Sequence, residues 1–201
     1  MKKKFVVFMT SILCAGALAA CSTPAPAPEA TPTQPAVTEP TAALAMEVVS
    51  AAITEGVLSD EYGMRGSQQS GGIPTLSPPL TVSNIPEGTV ALAVTVIDPD
   101  GGDWVHWLCC FAPEEGETAE LPENASIAKA EILKQGKNDF GTVGYGGPTP
   151  PSGVHSYVFT VYALADVPGL EEGFDLEALT YQLTMPGMVL AEATVTGTYA
   201  H

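Results

Sequence analysis

Positive charge is scarce in this chain. Seven lysines and arginines stand against 23 aspartates and glutamates. Three of the seven are Lys2, Lys3 and Lys4, which leaves only Arg65, Lys129, Lys134 and Lys137 further along. Nucleic-acid backbones are held by clustered Lys and Arg, so a nucleic-acid partner is excluded. Docking on anionic lipid through a basic face is excluded on the same ground. Cysteine is thin too: Cys14, Cys21, Cys109 and Cys110, with no C-x-x-C spacing that would suggest a metal or redox site. There is no internal repeat, no G-x-S-x-G elbow and no H-E-x-x-H helix motif. The histidines are His106, His155 and His201. No apolar run reaches the roughly 20 residues that a spanning helix needs.

What is present starts with an export signal. A basic start (Lys2–Lys4) precedes an apolar stretch from Phe5 to Ala17, then Leu18-Ala19-Ala20-Cys21. A basic region, a short apolar region and a small-residue cleavage site have this form. The Leu-Ala-Ala-Cys ending resembles the bacterial lipobox. The resemblance implies cleavage after residue 20 and a diacylglyceryl thioether on Cys21, two acyl chains being enough for stable anchoring. The alternative is an ordinary signal peptide with a chance cysteine. Residues 21–45 then read as a lipidated Cys and a Pro/Ala/Thr-rich tether with little to bury, expected to stay disordered or polyproline-like. Cleavage would remove Lys2–Lys4 and take the formal charge from −16 to 4 − 23 = −19.

Residues 46–201 have the length of one domain with its own core. Four segments read as strands: Val90–Ile97, Val105–Phe111, Ser156–Leu164 and Thr194–Tyr199, rich in β-branched and aromatic residues and separated by Gly and Pro. A helix is expected over Leu176–Leu183, capped by Asp175, with Leu176, Leu179 and Leu183 at helical spacing. A second short helix is expected from Pro186 through Ala193. Many strands with helices late in the chain describe a mainly β, sandwich-like domain. Cys109 and Cys110 are neighbours on a strand and point to opposite faces. They read as two small core residues, the alternatives being a vicinal disulfide or a metal pair.

Three stretches carry candidate chemistry: Asp98-Pro99-Asp100, Trp104-Val105-His106-Trp107, and the run from Gly144 to Tyr157. His155 and Tyr157 share a strand face. Taken singly, Asp98 can be a turn residue, His106 a core histidine and the Pro-Gly run a rigid connection. Two imidazoles can donate N–H bonds to phosphate oxygens, better when protonated. An aspartate beside an imidazole orients it and favours its cationic form. A tyrosine adds a hydroxyl donor. Consecutive prolines stiffen a rim, so less ordering entropy is lost on binding.

These segments resemble the phosphatidylethanolamine-binding protein family, in its bacterial Raf-kinase-inhibitor-like branch. The residues that carry the resemblance are DPDGG (98–102), WVHW (104–107) and GPTPPSGVHSYVF (147–159), with LSPPLTVSNIPEGTVALAV (76–94), NDFGTVGYGG (138–147) and MVLAEATVTGTY (188–199). It implies a large antiparallel sheet packed on a smaller one, with a few peripheral helices near the C-terminus. It also implies a small surface cavity that accepts phosphate, acetate or a phosphoryl head group. By position, Asp98, His106, Pro151, His155 and Tyr157 would surround that cavity, and Thr149, Pro150, Ser152 and Gly153 would form its rim. Three departures stand out: Gly102 where the family box has proline, Ser156 where it has arginine, and Val82 where tryptophan is frequent.

The sequence therefore points to a tethered, extracytoplasmic module that binds a small anion and can regulate a protein partner. No cofactor is expected. Two other classes compete. A hydrolase could use the Asp98, His106 and His155 cluster, with Ser152 nearby. A protease or kinase inhibitor would need no small ligand. Metal binding by two histidines and an aspartate is chemically feasible, but the resemblance does not support it.

Overall fold

The strongest strand-forming segments become the centre of a sheet. The computed structural model describes residues 44–114 and 116–201. The signal peptide, Cys21 and nearly all of the tether lie outside the described residues. Five short strands come first: β1 (Glu47–Val49), β2 (Ile53–Thr54), β3 (Val57–Leu58), β4 (Gln69–Ser70) and β5 (Ile73–Pro74). They are followed by β6 (Leu80–Ser83), β7 (Ala91–Asp98), β8 (Trp104–Phe111), β9 (Thr118–Leu121), α1 (Ala125–Ala128) and β10 (Lys134–Gln135). The chain closes with β11 (Val154–Leu164), α2 (Leu176–Leu183) and β12 (Val189–Ala200).

Seven strands form the large sheet in the order β10-β8-β7-β11-β12-β3-β2. Its neighbours are antiparallel except β12 and β3, which meet in parallel at Thr198 and Val57. A small sheet, β1-β6-β9, packs against one face, and β4-β5 is a separate hairpin. The core between the sheets takes Leu92, Val94 and Val96 from β7, Trp107 and Cys109 from β8, and Tyr157, Phe159 and Val161 from β11. Val48, Leu80, Val82 and Leu121 meet them from the small sheet. The opposite face of the large sheet carries Ala93, Leu108, Cys110 and Leu164 under Leu170, Phe174, Leu179 and Met188. Both faces of β7 and β8 are covered, which is why these strands read as near-continuous apolar runs rather than alternating ones.

The expected strands are present, with ends shifted by a residue or two except in β12. The helix over Leu176–Leu183 forms, and the Asp175 carboxylate accepts the Ala178 N–H at 2.8 Å. That bond satisfies one of the four unpaired donors at a helix start. Leu179 is its fully buried residue. The helix expected over Pro186–Ala193 is absent. The chain turns at Pro186-Gly187, and β12 begins at Val189 and pairs with β11 through Ala200. Local propensity in Leu-Ala-Glu-Ala is helical, but every second residue from Ala191 to Val195 packs into the core, a period of two that only a strand provides. The short strands β1 to β6, β9 and β10, the 3₁₀ turn at Asp60–Tyr62 and the single turn α1 lie outside the sequence reading. Cys109 and Cys110 are both buried with free thiols, one in each core. No helix among the described residues is long and apolar enough to cross a membrane.

Candidate functional site

Antiparallel pairing brings one end of β7 together with the starting ends of β8 and β11. Asp98 closes β7, Trp104 opens β8 opposite it, and Val158 lies across from Ile97. Asp98 falls on the face of Leu92, Val94 and Val96, and His155 falls on the face of Tyr157 and Phe159. These side chains therefore point towards the small sheet.

His106 reaches the same face by a different route. Between β7 and β8 the register runs Val96 with Trp107, then Ile97 with Val105. His106 is the extra residue of a β-bulge. Strict alternation from Trp107 would put it on the face of Leu108 and Cys110. The bulge instead turns Val105 onto that face and sets the His106 ring edge-on to Tyr157, with centroids 5.1 Å apart. Bulges often re-aim one side chain in this way beside a functional site.

The resulting cavity has a volume of about 620 Å³ and is walled by Asp98, Asp100, Trp104, His106, Phe140, Pro150, Pro151, His155 and Tyr157, with Gly101 and Thr149 completing it. The Asp98 carboxylate accepts His155 Nδ1–H at 2.7 Å and the Gly101 N–H at 2.8 Å. Asp100 accepts the Ser156 N–H at 2.7 Å, which holds its carboxyl below the usual carboxylate range. His106 Nδ1 donates to the Gly146 carbonyl at 2.5 Å. Burial pushes the His106 imidazole below the ordinary histidine range and outweighs the opposing pull of the Gly146 carbonyl, Asp98 and Asp139. The two imidazoles thus differ: His155 is paired to a carboxylate, and His106 is held neutral with Nε2 as an acceptor. The expectation that both donate to an anion holds only where His106 gains a proton.

Tyr157 supplies the clearest demand for a partner. Its hydroxyl is buried and makes no hydrogen bond among the described residues. Burial, reinforced by the Asp98 charge, raises its pKa well above the ordinary tyrosine value, so it remains an O–H donor. With no protein group taking its proton and the residue in the cavity wall, the hydroxyl is available to donate to a ligand oxygen there.

Thr149, Pro150 and Pro151 line the cavity as rim residues, whereas Ser152 and Gly153 do not. The Ser152 side chain makes no hydrogen bond to either imidazole among the described residues, so the cluster has no serine nucleophile in place. Gly153 turns the rim into β11 at a φ of +71°, a conformation L side chains rarely adopt. At Gly147 an added Cβ would lie 2.2 Å from the Tyr62 carbonyl oxygen, so the segment leading to the rim can pass that backbone only as glycine.

Phe140 and His201 escaped the sequence reading, and Trp104 stood in a candidate stretch without a place in the cavity wall. Trp104 and Phe140 form an edge-to-face wall 5.5 Å apart. Phe140 is set there because Asp139 Oδ2 accepts the Val105 N–H and Asp139 N–H donates back to the Val105 carbonyl. His201, distant in sequence, clasps the rim: its Nδ1 donates to the Pro150 carbonyl at 2.9 Å and its N–H to the Gly153 carbonyl at 2.9 Å. Asp100 was visible in the D-P-D box, but nothing in the sequence marked Phe140 or His201 as neighbours of the cavity.

A two-sheet β domain with one His/Asp/Tyr cavity at the end of its large sheet is a recognisable class of small-ligand-binding fold. The family model described as phosphatidylethanolamine-binding protein matches residues 49–200. The chain belongs to that family. It is 39% identical over 128 residues to a UPF0098 protein of Methanothermobacter thermautotrophicus, covering 62% of this chain and 82% of the relative. It is 40% identical over 132 residues to the UPF0098 protein YbcL of Escherichia coli, covering 61% and 70%. The crystal structure of E. coli YbcL superposes with a TM-score of 0.65 at 34% identity, over 79% of this chain and 99% of that one. A phosphatidylethanolamine-binding protein homologue from Chlamydia trachomatis superposes with a TM-score of 0.65 at 33% identity, over 78% and 98%.

Proposed function

We propose that this protein is a lipid-anchored, extracytoplasmic binding module of the Raf-kinase-inhibitor-like branch whose cavity takes a small phosphoryl or carboxylate anion. The observation that carries the reading is the Tyr157 hydroxyl, a buried donor without a partner in the wall of a cavity of about 620 Å³. His155 stands beside it, oriented by Asp98. The Pro150-Pro151 rim holds the mouth in one shape before a ligand arrives. The anchor rests on Leu18-Ala19-Ala20-Cys21, and the Pro-rich tether would carry the domain away from the lipid surface. The same cluster offers acid–base groups, but Ser152 does not line the cavity beside them, so binding is preferred to a serine-dependent hydrolysis.

Titration of the domain from Met46 onward with phosphoethanolamine, followed by NMR, tests the cavity. Shifts should concentrate at His106, His155 and Tyr157 and vanish in His155→Ala. Absence of any shift at millimolar ligand would remove the anion reading. Metabolic labelling with palmitate tests the anchor: incorporation should disappear in Cys21→Ala, and labelling that persists there would place the lipid elsewhere.

A further inference from the structure

We infer that the cavity selects an anion that carries its own proton, such as a singly protonated phosphomonoester, over an anion of equal charge without one, and that His106 Nε2 accepts that proton in a hydrogen bond. This rests on the anion-binding reading and narrows it.

The Gly146 carbonyl can only accept, so His106 Nδ1 carries the hydrogen. The Asp98 carboxylate also accepts, so His155 Nδ1 carries one too. Both committed hydrogens point away from any ligand. Each Nε2 is therefore a lone pair unless its ring gains a second proton. The groups facing His106 are Tyr157 and Phe140 edge-on, the Gly146 carbonyl, and the carboxylates Asp98 and Asp139. Burial away from water disfavours a cation there, and the histidine's ordinary value is lowered accordingly. The remaining wall adds the Asp98 and Asp100 carboxylates, and no lysine or arginine lines the cavity. The permanent side-chain donors of the wall are the Tyr157 and Thr149 hydroxyls and the Trp104 indole N–H, and none of them alters the lone pair at His106 Nε2. A fully deprotonated oxyanion would set lone pairs against lone pairs at His106. An anion with one P–OH and one P–O⁻ satisfies both sides: its oxygen accepts from Tyr157 while its hydroxyl donates to His106.

Methyl phosphate and dimethyl phosphate test this with the soluble domain. A phosphomonoester loses its second proton near about pH 6, so at about pH 5 both probes carry a single charge and only methyl phosphate carries a proton. Methyl phosphate should bind about tenfold or more tightly at that pH, the scale of leaving a buried acceptor unmatched. Raising the pH to about 7.5 turns methyl phosphate into a dianion, and its advantage should then shrink. Dimethyl phosphate has no proton to lose, so its own pH profile corrects for every pH-dependent change in the protein. A ratio that stays constant with pH would mean the second methyl is merely excluded by size, and would overturn the inference. Equal binding of both probes would also overturn it while leaving the anion-binding reading intact. If neither binds at tens of millimolar, both fall. In His106→Gln, whose amide offers a donor as readily as an acceptor, the ratio at low pH should move towards one. An unchanged ratio there would remove His106 from the assignment.

Discussion

Burial holds the His106 imidazole below the ordinary histidine range, and this has a definite sign in stability. The unfolded chain takes up the proton near the ordinary value of 6.5, while the folded domain resists it. Stability is therefore complete above about 6.5 and is lost as pH falls below it, by up to about 1.4 kcal/mol per pH unit. Urea unfolding between pH 6.5 and 5.5 should show this slope in the native protein and a shallower one in His106→Phe. Parallel slopes would mean that His106 takes its proton in the folded state. Tyr157 gives the second expectation at this scale. Tyr157→Phe deletes a hydroxyl that has no partner, so stability should hold or rise by up to about 1 kcal/mol. Anion affinity should meanwhile fall about tenfold, the loss of one hydrogen bond. A mutant that is less stable but binds normally would show that the hydroxyl serves the fold. Cys109 and Cys110 need no such role: burial pushes the Cys110 thiol up to about 12 and the Cys109 thiol well above its usual value, which leaves both as inert core residues.

Elements, rather than single residues, hold the rim. The Met64 N–H donates to the Pro148 carbonyl at 2.8 Å, where the segment enters. At the other end Arg65 Nη1 donates to the Ala200 carbonyl at 2.8 Å, while its guanidinium lies 4.2 Å from the centre of the Tyr199 ring. Asp60 pairs with the same arginine. The end of β12 is thus clamped from the 3₁₀ turn side, and His201 beyond it reaches back to Pro150 and Gly153. The family's arginine before Tyr157 is Ser156 here, and Asp100 takes the Ser156 backbone instead. His201→Ala should therefore speed hydrogen exchange at the amide of residue 201 itself, which donates to the Gly153 carbonyl, and leave the amides of β7 and β8 unchanged. Exchange that is unaltered there would show that the imidazole contributes no restraint. The four longest strands, β7, β8, β11 and β12, were legible because β-branched and aromatic runs bounded by Gly and Pro have few alternatives, whereas the short strands hold too few residues to show a period. The Pro186–Ala193 segment was misread because its Leu-Ala-Glu-Ala composition suits a helix, while pairing along the whole of β11 requires a strand. The bulge at His106 was illegible, since only the register against β7 defines it.

At the scale of the whole molecule, negative charge sets how a ligand approaches. A domain bearing few cations repels an anion over the Debye length, about 30 Å at 0.01 M salt and about 8 Å at 0.15 M. The association rate for phosphoethanolamine should accordingly rise between those salt concentrations, with the dissociation rate little changed. Stopped-flow or NMR exchange measurements would show this, and a rate that falls with salt would reveal a locally positive mouth. The sequence by itself determined the mainly β architecture and offered Asp98, His106, His155 and Tyr157 as candidates for one site. Apolar runs of β period dictate strands, and the D-P-D, V-H-W and P-P-S-G-V-H-S-Y segments identify a family whose fold is robust to substitution. The tertiary structure decided how those residues behave. The bulge turns His106 onto the face of Tyr157, the Gly146 carbonyl accepts a hydrogen bond from its Nδ1, Phe140 arrives through Asp139, and His201 closes on Pro150, 51 residues away. These are properties of distances between strands and of water excluded among them, and no local pattern of residues encodes either.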